Sequence, residues 1–259
     1  GLQPRLQLLG AVERSWLEPV AVNCQCSSGC GRPDRRTYVN VLIVGASGGL
    51  GGALVDAFSA RGDAVTSLSR SAHGLELTDE STIAAAAAAL AGQRFDRIVV
   101  ATGALTVDGT PPETSFARLD PAVMARSFAI NAVGPAMLVK HLAPLLQRKS
   151  PAVFALLSAR LASIGDNRLG GWTSYRSTKA ALNQIVRCAS VEYARKRPQA
   201  ALIALHPGTV PTALTKPYAR GRYTATPPEA ARQLIAVMDS CGADQTGAFL
   251  AYDGTPIPW

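Results

Sequence analysis

Six short apolar runs punctuate the chain, and between them the apolar positions fall three and four residues apart. The runs are VNVLIV (39–44), AVTSL (64–68), RIVVA (97–101), AVFALL (152–157), ALIAL (201–205) and GAFLA (247–251). Apolar runs that do not alternate with polar residues predict strands covered on both faces, as in a parallel sheet. The stretches 50–61, 79–91, 121–147, 173–196 and 228–240 carry helical periodicity. Strand and helix in alternation imply right-handed crossovers, hence an α/β fold: a Rossmann-type doubly wound parallel sheet in three α/β/α layers, as a single domain. Residues 1–37 sustain neither period and end in CGRPDRRT, so we expect a flexible N-terminal extension ahead of one domain at 38–259.

Composition narrows the picture. Hydrophobic residues are 47% of the 259 and charged ones 17%, which argues for a buried core and against disorder. A formal charge of +8 admits nucleic acid, an anionic membrane or a phosphate-bearing ligand. The basic residues are scattered singly and not interleaved with aromatics, so no nucleic acid is expected. No apolar run approaches the ~18 residues of a membrane span, and the first 22 residues hold no continuous apolar segment ending in a cleavage site. The expectation is a cytoplasmic protein with no signal peptide and no membrane partner. Cys24, Cys26 and Cys30 crowd together but nothing downstream completes a paired metal site, while Cys188 and Cys241 stand alone. His73, His141 and His206 are too dispersed to suggest a metal, and no metal is expected.

After the first run comes GASGGLG, Gly45 to Gly51, leading straight into a helical pattern. Glycines allow positive φ and close backbone approach, and the free N–H groups at a helix start favour an anion. Strand, loop and helix in that order suit a dinucleotide phosphate. An NAD-binding chain would place an acid about twenty residues further on, but the second run ends in Ser69 and Arg70 instead. A hydroxyl and a guanidinium suit a 2′-phosphate, which favours NADP(H) and leaves NAD(H) open.

The strongest chemical pattern is SYRSTKAAL, in which Tyr175 and Lys179 stand four apart near the start of a helix. They share a face. A phenol titrates near ~10 and is a poor acid at neutral pH unless a neighbouring cation stabilises its phenolate. Beside such a cation, Tyr175 could exchange a proton with a carbonyl oxygen as hydride arrives at carbon.

The chain resembles the short-chain dehydrogenase/reductase family over residues 38 to 259. The resemblance rests on GASGGLG (45–51), the ATG at 101–103 after what the family order makes the fourth strand, Asn131 in INAVG, Tyr175 with Lys179, and HPGTVPT (206–212). The segments LSARLASIGDN, GGWTSYRSTKAALN and YDGTPIPW resemble the C-factor-like carbonyl reductase branch. The resemblance implies that Tyr175 is the general acid/base, that Lys179 lowers its pKa and binds the nicotinamide ribose, and that Asn131 holds a proton-relaying water. It further implies that Gly45, Ser47, Gly49, Leu50 and Gly51 wrap the pyrophosphate and that Ala101, Thr102 and Gly103 flank the adenosine ribose. Pro207, Gly208, Val210 and Thr212 would line the nicotinamide.

Two departures qualify it. The family's catalytic serine follows the strand that here ends Leu157-Ser158-Ala159, and aligning strand ends puts Ala159 where the hydroxyl is expected. Ser158, 17 residues before Tyr175, is the first choice for that hydroxyl, and Ser163, 12 before it, is the rival. Val100-Ala101-Thr102-Gly103 also replaces the usual Asn-Asn-Ala-Gly, weakening a polar tie to the neighbouring helix. The expected activity is NADP(H)-dependent reduction of a small-molecule aldehyde or ketone. The alternative is a cofactor-binding signalling or regulatory protein with little turnover. Surplus apolar positions on the two long helices suggest a homodimer or homotetramer, and Trp172 and Trp259 read as core or subunit-contact aromatics. Substrate choice would fall to the polar, basic loop at 213–228.

Overall fold

The computed structural model describes residues 38–259; the expected N-terminal extension and Cys24, Cys26 and Cys30 lie outside the described residues. Every predicted apolar run forms a strand: β1 (Asn40–Val44), β2 (Ala64–Leu68), β3 (Arg97–Val100), β4 (Ala152–Leu157), β5 (Ala200–His206) and β6 (Phe249–Ala251). All pairings are parallel, in the order β2-β1-β3-β4-β5-β6. Because successive strand residues point to opposite faces, one set of apolar side chains serves each layer. Leu42, Ile98, Phe154 and Leu202 face one core, while Val41, Val99, Ala155 and Ile203 face the other.

Helices α1 (Gly49–Ala60) and α7 (Pro227–Ser240) cover the second face through Leu54, Phe58, Leu234 and Met238. The first face is covered by α3 (Glu80–Ala89), α5 (Gly134–Leu142) and α6 (Thr173–Lys196), through Ile83, Leu138, Leu142, Leu182 and Val186. Burial of each such side chain stabilises the fold by roughly 1.5–3 kcal/mol. Helix starts follow the local chemistry. Asp79 caps α3, and Asp120 with Pro121 at the first turn starts α4 (Pro121–Phe128).

Two sequence expectations change. Between β2 and β3 the chain makes only α2 (Arg70–His73) and α3, with no strand. The strand counted as fourth by the family order is therefore the third here. In addition, Pro121–Leu145 is one 25-residue helical run with a mean hydropathy of 1.4 in its most apolar window, long and apolar enough to cross a membrane by length and composition. It contains no uninterrupted apolar string, because Arg126, Asn131 and Lys140 break the string without breaking the helix. Its inner side, including Leu138, Val139 and Leu142, packs into the sheet's core.

Candidate functional site

The strand order reverses between β1 and β3: the chain runs outward from β1 to β2 and then returns to the other side of β1. Loops leaving neighbouring strands there diverge and leave a crevice at the carboxyl ends. A cleft of about 660 Å³ occupies that place. It gathers the glycine loop, the loop after β3, the end of β4, the start of α6 and the loop after β5.

At one end, Gly45 adopts φ +91° and donates its N–H to the Leu68 carbonyl at 2.8 Å. A Cβ there would lie 2.8 Å from the Ala101 carbonyl oxygen, so only glycine fits. Helix α1 begins at Gly49 without a side-chain cap and with no acid in its first turn. Its first N–H groups, which have no partner within the helix, face a cleft lined by Ser47, Gly49 and Leu50. That donor set fits a pyrophosphate. Thr102, whose buried hydroxyl has no hydrogen-bond partner, lines the same cleft with Ala101 and Gly103 and offers a ligand one more donor. Gly51 does not line the cleft; a Cβ there would collide with the Gly45 carbonyl, so its smallness lets α1 approach the loop. Gly51→Ala is therefore expected to destabilise the domain by about 1–3 kcal/mol and to loosen dinucleotide binding, read by thermal melting and NADPH fluorescence.

At the end of β2, Ser69 and Arg70 both line the cleft. The Ser69 hydroxyl accepts the Ala72 N–H as the cap of α2, at 3.2 Å, which leaves its own hydrogen to donate. Arg70 remains exposed and available.

Helix α6 carries the opposite wall. Its N-cap, Trp172, sits at φ +51° and offers no side-chain cap. Glu113, from the loop after β3, supplies one: its backbone carbonyl accepts the Trp172 N–H at 2.6 Å and its carboxylate accepts the Ser174 N–H. Residue 175 is thus fixed by a contact far away in sequence, which helical spacing alone does not reveal. Tyr175 and Lys179 are 8% and 3% exposed and both line the cleft. The Lys179 Nζ lies 5.9 Å from the phenol ring centroid and donates to the Leu157 carbonyl at 3.0 Å. Burial pushes the Tyr175 phenol above its ordinary value and the Lys179 ammonium down to about 8. The expected lowering of the phenol by its cation is outweighed in the bare cleft by desolvation of both groups.

Ser158, at the end of β4, lines the cleft, whereas Ser163 is buried elsewhere and accepts the Asp166 N–H at 3.1 Å. Ala159 contributes no hydroxyl, as its identity dictates. The Ser158 hydroxyl donates to Asn183 Oδ1 at 2.7 Å. Asn183 was absent from the sequence reading, although it continues the series Tyr175, Lys179 at the same four-residue step. Asn131 is fully buried in a π-helical turn, Ala129–Val133, and does not line the cleft. Its side chain accepts the Ala104 N–H and donates to the Ala104 carbonyl, each at 2.9 Å. The polar tie between helix and loop that the departure at 100–103 seemed to weaken is made by this pair of bonds to the backbone. Gly103 also lets Asn131 and Lys179 come close, since a Cβ there would meet Asn131 Oδ1 at 3.2 Å and Lys179 Nζ at 3.4 Å.

Beyond β5, Pro207, Gly208, Val210 and Thr212 all line the cleft, and Thr212 packs against Gly49. Further along, the Tyr218 hydroxyl meets Thr106 Oγ1 at 2.5 Å, and Trp172 packs edge-on to Tyr218 at 5.5 Å. Trp172 thus braces a loop rather than the core, and Trp259 is 46% exposed against Phe249. Among the described residues, no group of three or more His, Cys, Asp or Glu side chains could hold a metal ion. His73 and His141 bond to Ser69 and Glu80 respectively.

His206 closes β5, and burial, reinforced by Arg160, pushes it down to about 4 from 6.5. It is neutral in the fold, whereas the unfolded chain takes up a proton below ~6.5. Stability is therefore expected to fall by about 2 kcal/mol as pH drops from 6.5 towards 4. His206→Gln should flatten that part of the denaturation profile.

A family model described as short chain dehydrogenase matches residues 39–222. C-signal from Myxococcus xanthus is 36% identical over 142 residues, covering 54% of this chain and 81% of that protein. The 1-hydroxy-2-glutathionyl-2-methyl-3-butene dehydrogenase of Rhodococcus sp. (strain AD45) is 30% identical over 188 residues, 72% of this chain and 79% of that one. Among solved structures, a protein described as a short-chain dehydrogenase/reductase from Burkholderia multivorans with bound NADP superposes with a TM-score of 0.71 at 26% identity, covering 85% of this chain and 99% of that one. A carbonyl reductase from Pseudomonas aeruginosa PAO1 in complex with NADP gives 0.67 at 25% identity, with the same coverage.

Proposed function

The chain belongs to the short-chain dehydrogenase/reductase family of NAD(P)-dependent oxidoreductases, and we propose that it reduces a small aldehyde or ketone to the alcohol with NADPH. The observation that carries this reading is the placement of Tyr175 and Lys179, both buried, in the same cleft as the uncapped, glycine-lined start of α1. The glycine loop and α1 would hold the pyrophosphate of the cofactor, Thr102 and Gly103 its ribose side, and Pro207 to Thr212 its far end. When bound, the cofactor supplies the hydride. Arg70 beside the cleft favours the phosphorylated form.

Tyr175 then acts as the acid. Burial keeps its phenol protonated at neutral pH, so it can donate to the carbonyl oxygen as negative charge develops there. Lys179 offsets the charge left on the phenolate. The Ser158 hydroxyl donates to Asn183 Oδ1 at 2.7 Å; it would seat the substrate oxygen by turning that hydrogen into the cleft. Asn131 fixes the loop after β3 rather than meeting the substrate.

Because the ammonium titrates near 8, reduction is expected to slow as pH rises past that value and Lys179 becomes neutral. Lys179→Arg should move the decline upward on the pH axis. Val133 on the α4–α5 run and Val191 on α6 are 52% and 51% exposed; we read these faces as the contact of a homodimer or homotetramer.

A second reading, a cofactor-binding signalling protein with little turnover, draws support from the engaged Ser158 hydroxyl, from Ala159 and from the C-signal relative. NADPH oxidation across a panel of aldehydes and ketones, with Tyr175→Phe as control, separates the two. Tyr175-dependent oxidation supports the reductase. NADPH binding without oxidation by any carbonyl supports the signalling protein.

A further inference from the structure

We infer that Glu76 sets how strongly this cleft prefers a phosphorylated over an unphosphorylated adenosine ribose, by competing for the Arg70 guanidinium. This rests on the dinucleotide reading above and adds to it a residue that governs cofactor choice.

The sequence offers no acid at the end of β2, where Ser69 and Arg70 stand. The fold brings one there by another route. Helix α2 is a single turn closed by Gly74 at φ +63°, which reverses the chain. Glu76 then returns to the same wall: its carboxylate lies 3.9 Å from Arg70 Nη1, and both residues line the cleft.

The two partners differ in freedom. The Glu76 carboxylate accepts the Thr78 N–H at 3.3 Å and the Thr78 hydroxyl at 3.1 Å. Its backbone is tied as well, with the N–H donating to Thr82 Oγ1 at 2.9 Å and the carbonyl accepting from that hydroxyl at 3.0 Å. Arg70 has an 82% exposed side chain and, among the described residues, no side-chain partner shorter than this ion pair. The acid is fixed and the cation is loose.

Arg70 is the cationic side chain at the β2 end; the Ser69 hydroxyl beside it accepts the Ala72 N–H and keeps a hydrogen to donate, but carries no charge to match a phosphate. To pair with Arg70, a ribose phosphate must draw the guanidinium away from Glu76. An unphosphorylated ribose carries no charge with which to compete for it. Glu76 thus weakens NADP(H) relative to NAD(H), and Arg70 does the reverse.

The test measures dissociation constants of NADPH and NADH by fluorescence titration for the full chain, Glu76→Gln, Arg70→Ala and the double variant. Glutamine keeps an acceptor for Thr78, so the turn should hold, and thermal melting checks that it does. The expected result is that Glu76→Gln tightens NADPH about threefold to tenfold without tightening NADH, that Arg70→Ala removes most of the NADPH advantage, and that Glu76→Gln changes the ratio of the two constants little once Arg70 is gone. An unchanged NADH-to-NADPH ratio in a well-folded Glu76→Gln protein would overturn the inference while leaving the dinucleotide reading intact. Failure of the unmodified protein to bind either nucleotide would overturn both.

Discussion

Tyr175→Phe is expected to lower NADPH-dependent turnover about a thousandfold while leaving the melting temperature and NADPH affinity close to those of the unmodified protein. The substitution keeps the ring that packs beside Lys179 and removes only the hydroxyl in the cleft. Positioned proton transfer is worth about 10²–10⁴ in rate. Burial keeps the phenol protonated well above neutral pH, so the unmodified protein holds its acid ready at every working pH, whereas phenylalanine offers none. A residual rate within tenfold of the original would mean that water or another side chain donates the proton.

Lys179→Met should do something different: abolish turnover and make the protein more stable. Lys179 is 3% exposed, its charged head donates to the Leu157 carbonyl and to no other acceptor among the described residues, and burial depresses its pKa from 10.5 to about 8. At neutral pH the fold therefore holds an ammonium that it would rather hold neutral. Such a shift corresponds to about 3 kcal/mol, of which about 1 is returned when methionine leaves the Leu157 carbonyl unpaired, so a net gain of about 2 kcal/mol is expected. The pH dependence distinguishes this from better packing. Between about 8 and 10.5 the unfolded chain still binds the proton that the folded chain has released, so the unmodified protein gains stability as pH rises through that window. The methionine variant lacks that rise, and denaturant unfolding at pH 7 and pH 10 should show its advantage shrinking. Equal advantage at both values would remove Lys179 desolvation as the cause. Stability surrendered at a residue of the active cleft is the usual trade in functional sites.

Much of this architecture is legible in the sequence. Strands β3 to β6 are buried almost throughout, and their apolar strings reported that directly, whereas β2 lies at the sheet edge and is largely half-exposed. Tyr175 and Lys179 do line one cleft with Gly45, Ser47, Gly49 and Leu50, because their spacing within one helix and one loop is local. What escaped was whatever the fold brings together from distant segments. Asn183 takes the hydrogen of Ser158 across 25 residues, and Glu113 caps α6 across 61. Glu76 reaches Arg70 only because one short helical turn doubles back. The choice between Ser158 and Ser163 illustrates the limit well. Both lie within reach of Tyr175 by counting, but only the strand-end position of Ser158 faces the cleft. Gly51 shows the converse, a residue correctly placed in its loop whose smallness serves helix packing rather than the ligand surface.

The claim beneath all of this is that Tyr175 protonates an oxygen while hydride reaches the adjoining carbon. NADPH carrying deuterium at the transferable position, incubated with the carbonyl panel and followed by mass spectrometry of the products, tests it at the atom concerned. One deuterium is expected on the carbinol carbon of at least one product with the unmodified protein, and close to none with Tyr175→Phe. NADPH that binds tightly yet passes deuterium to no carbonyl, or passes it equally well without the phenol, would contradict it.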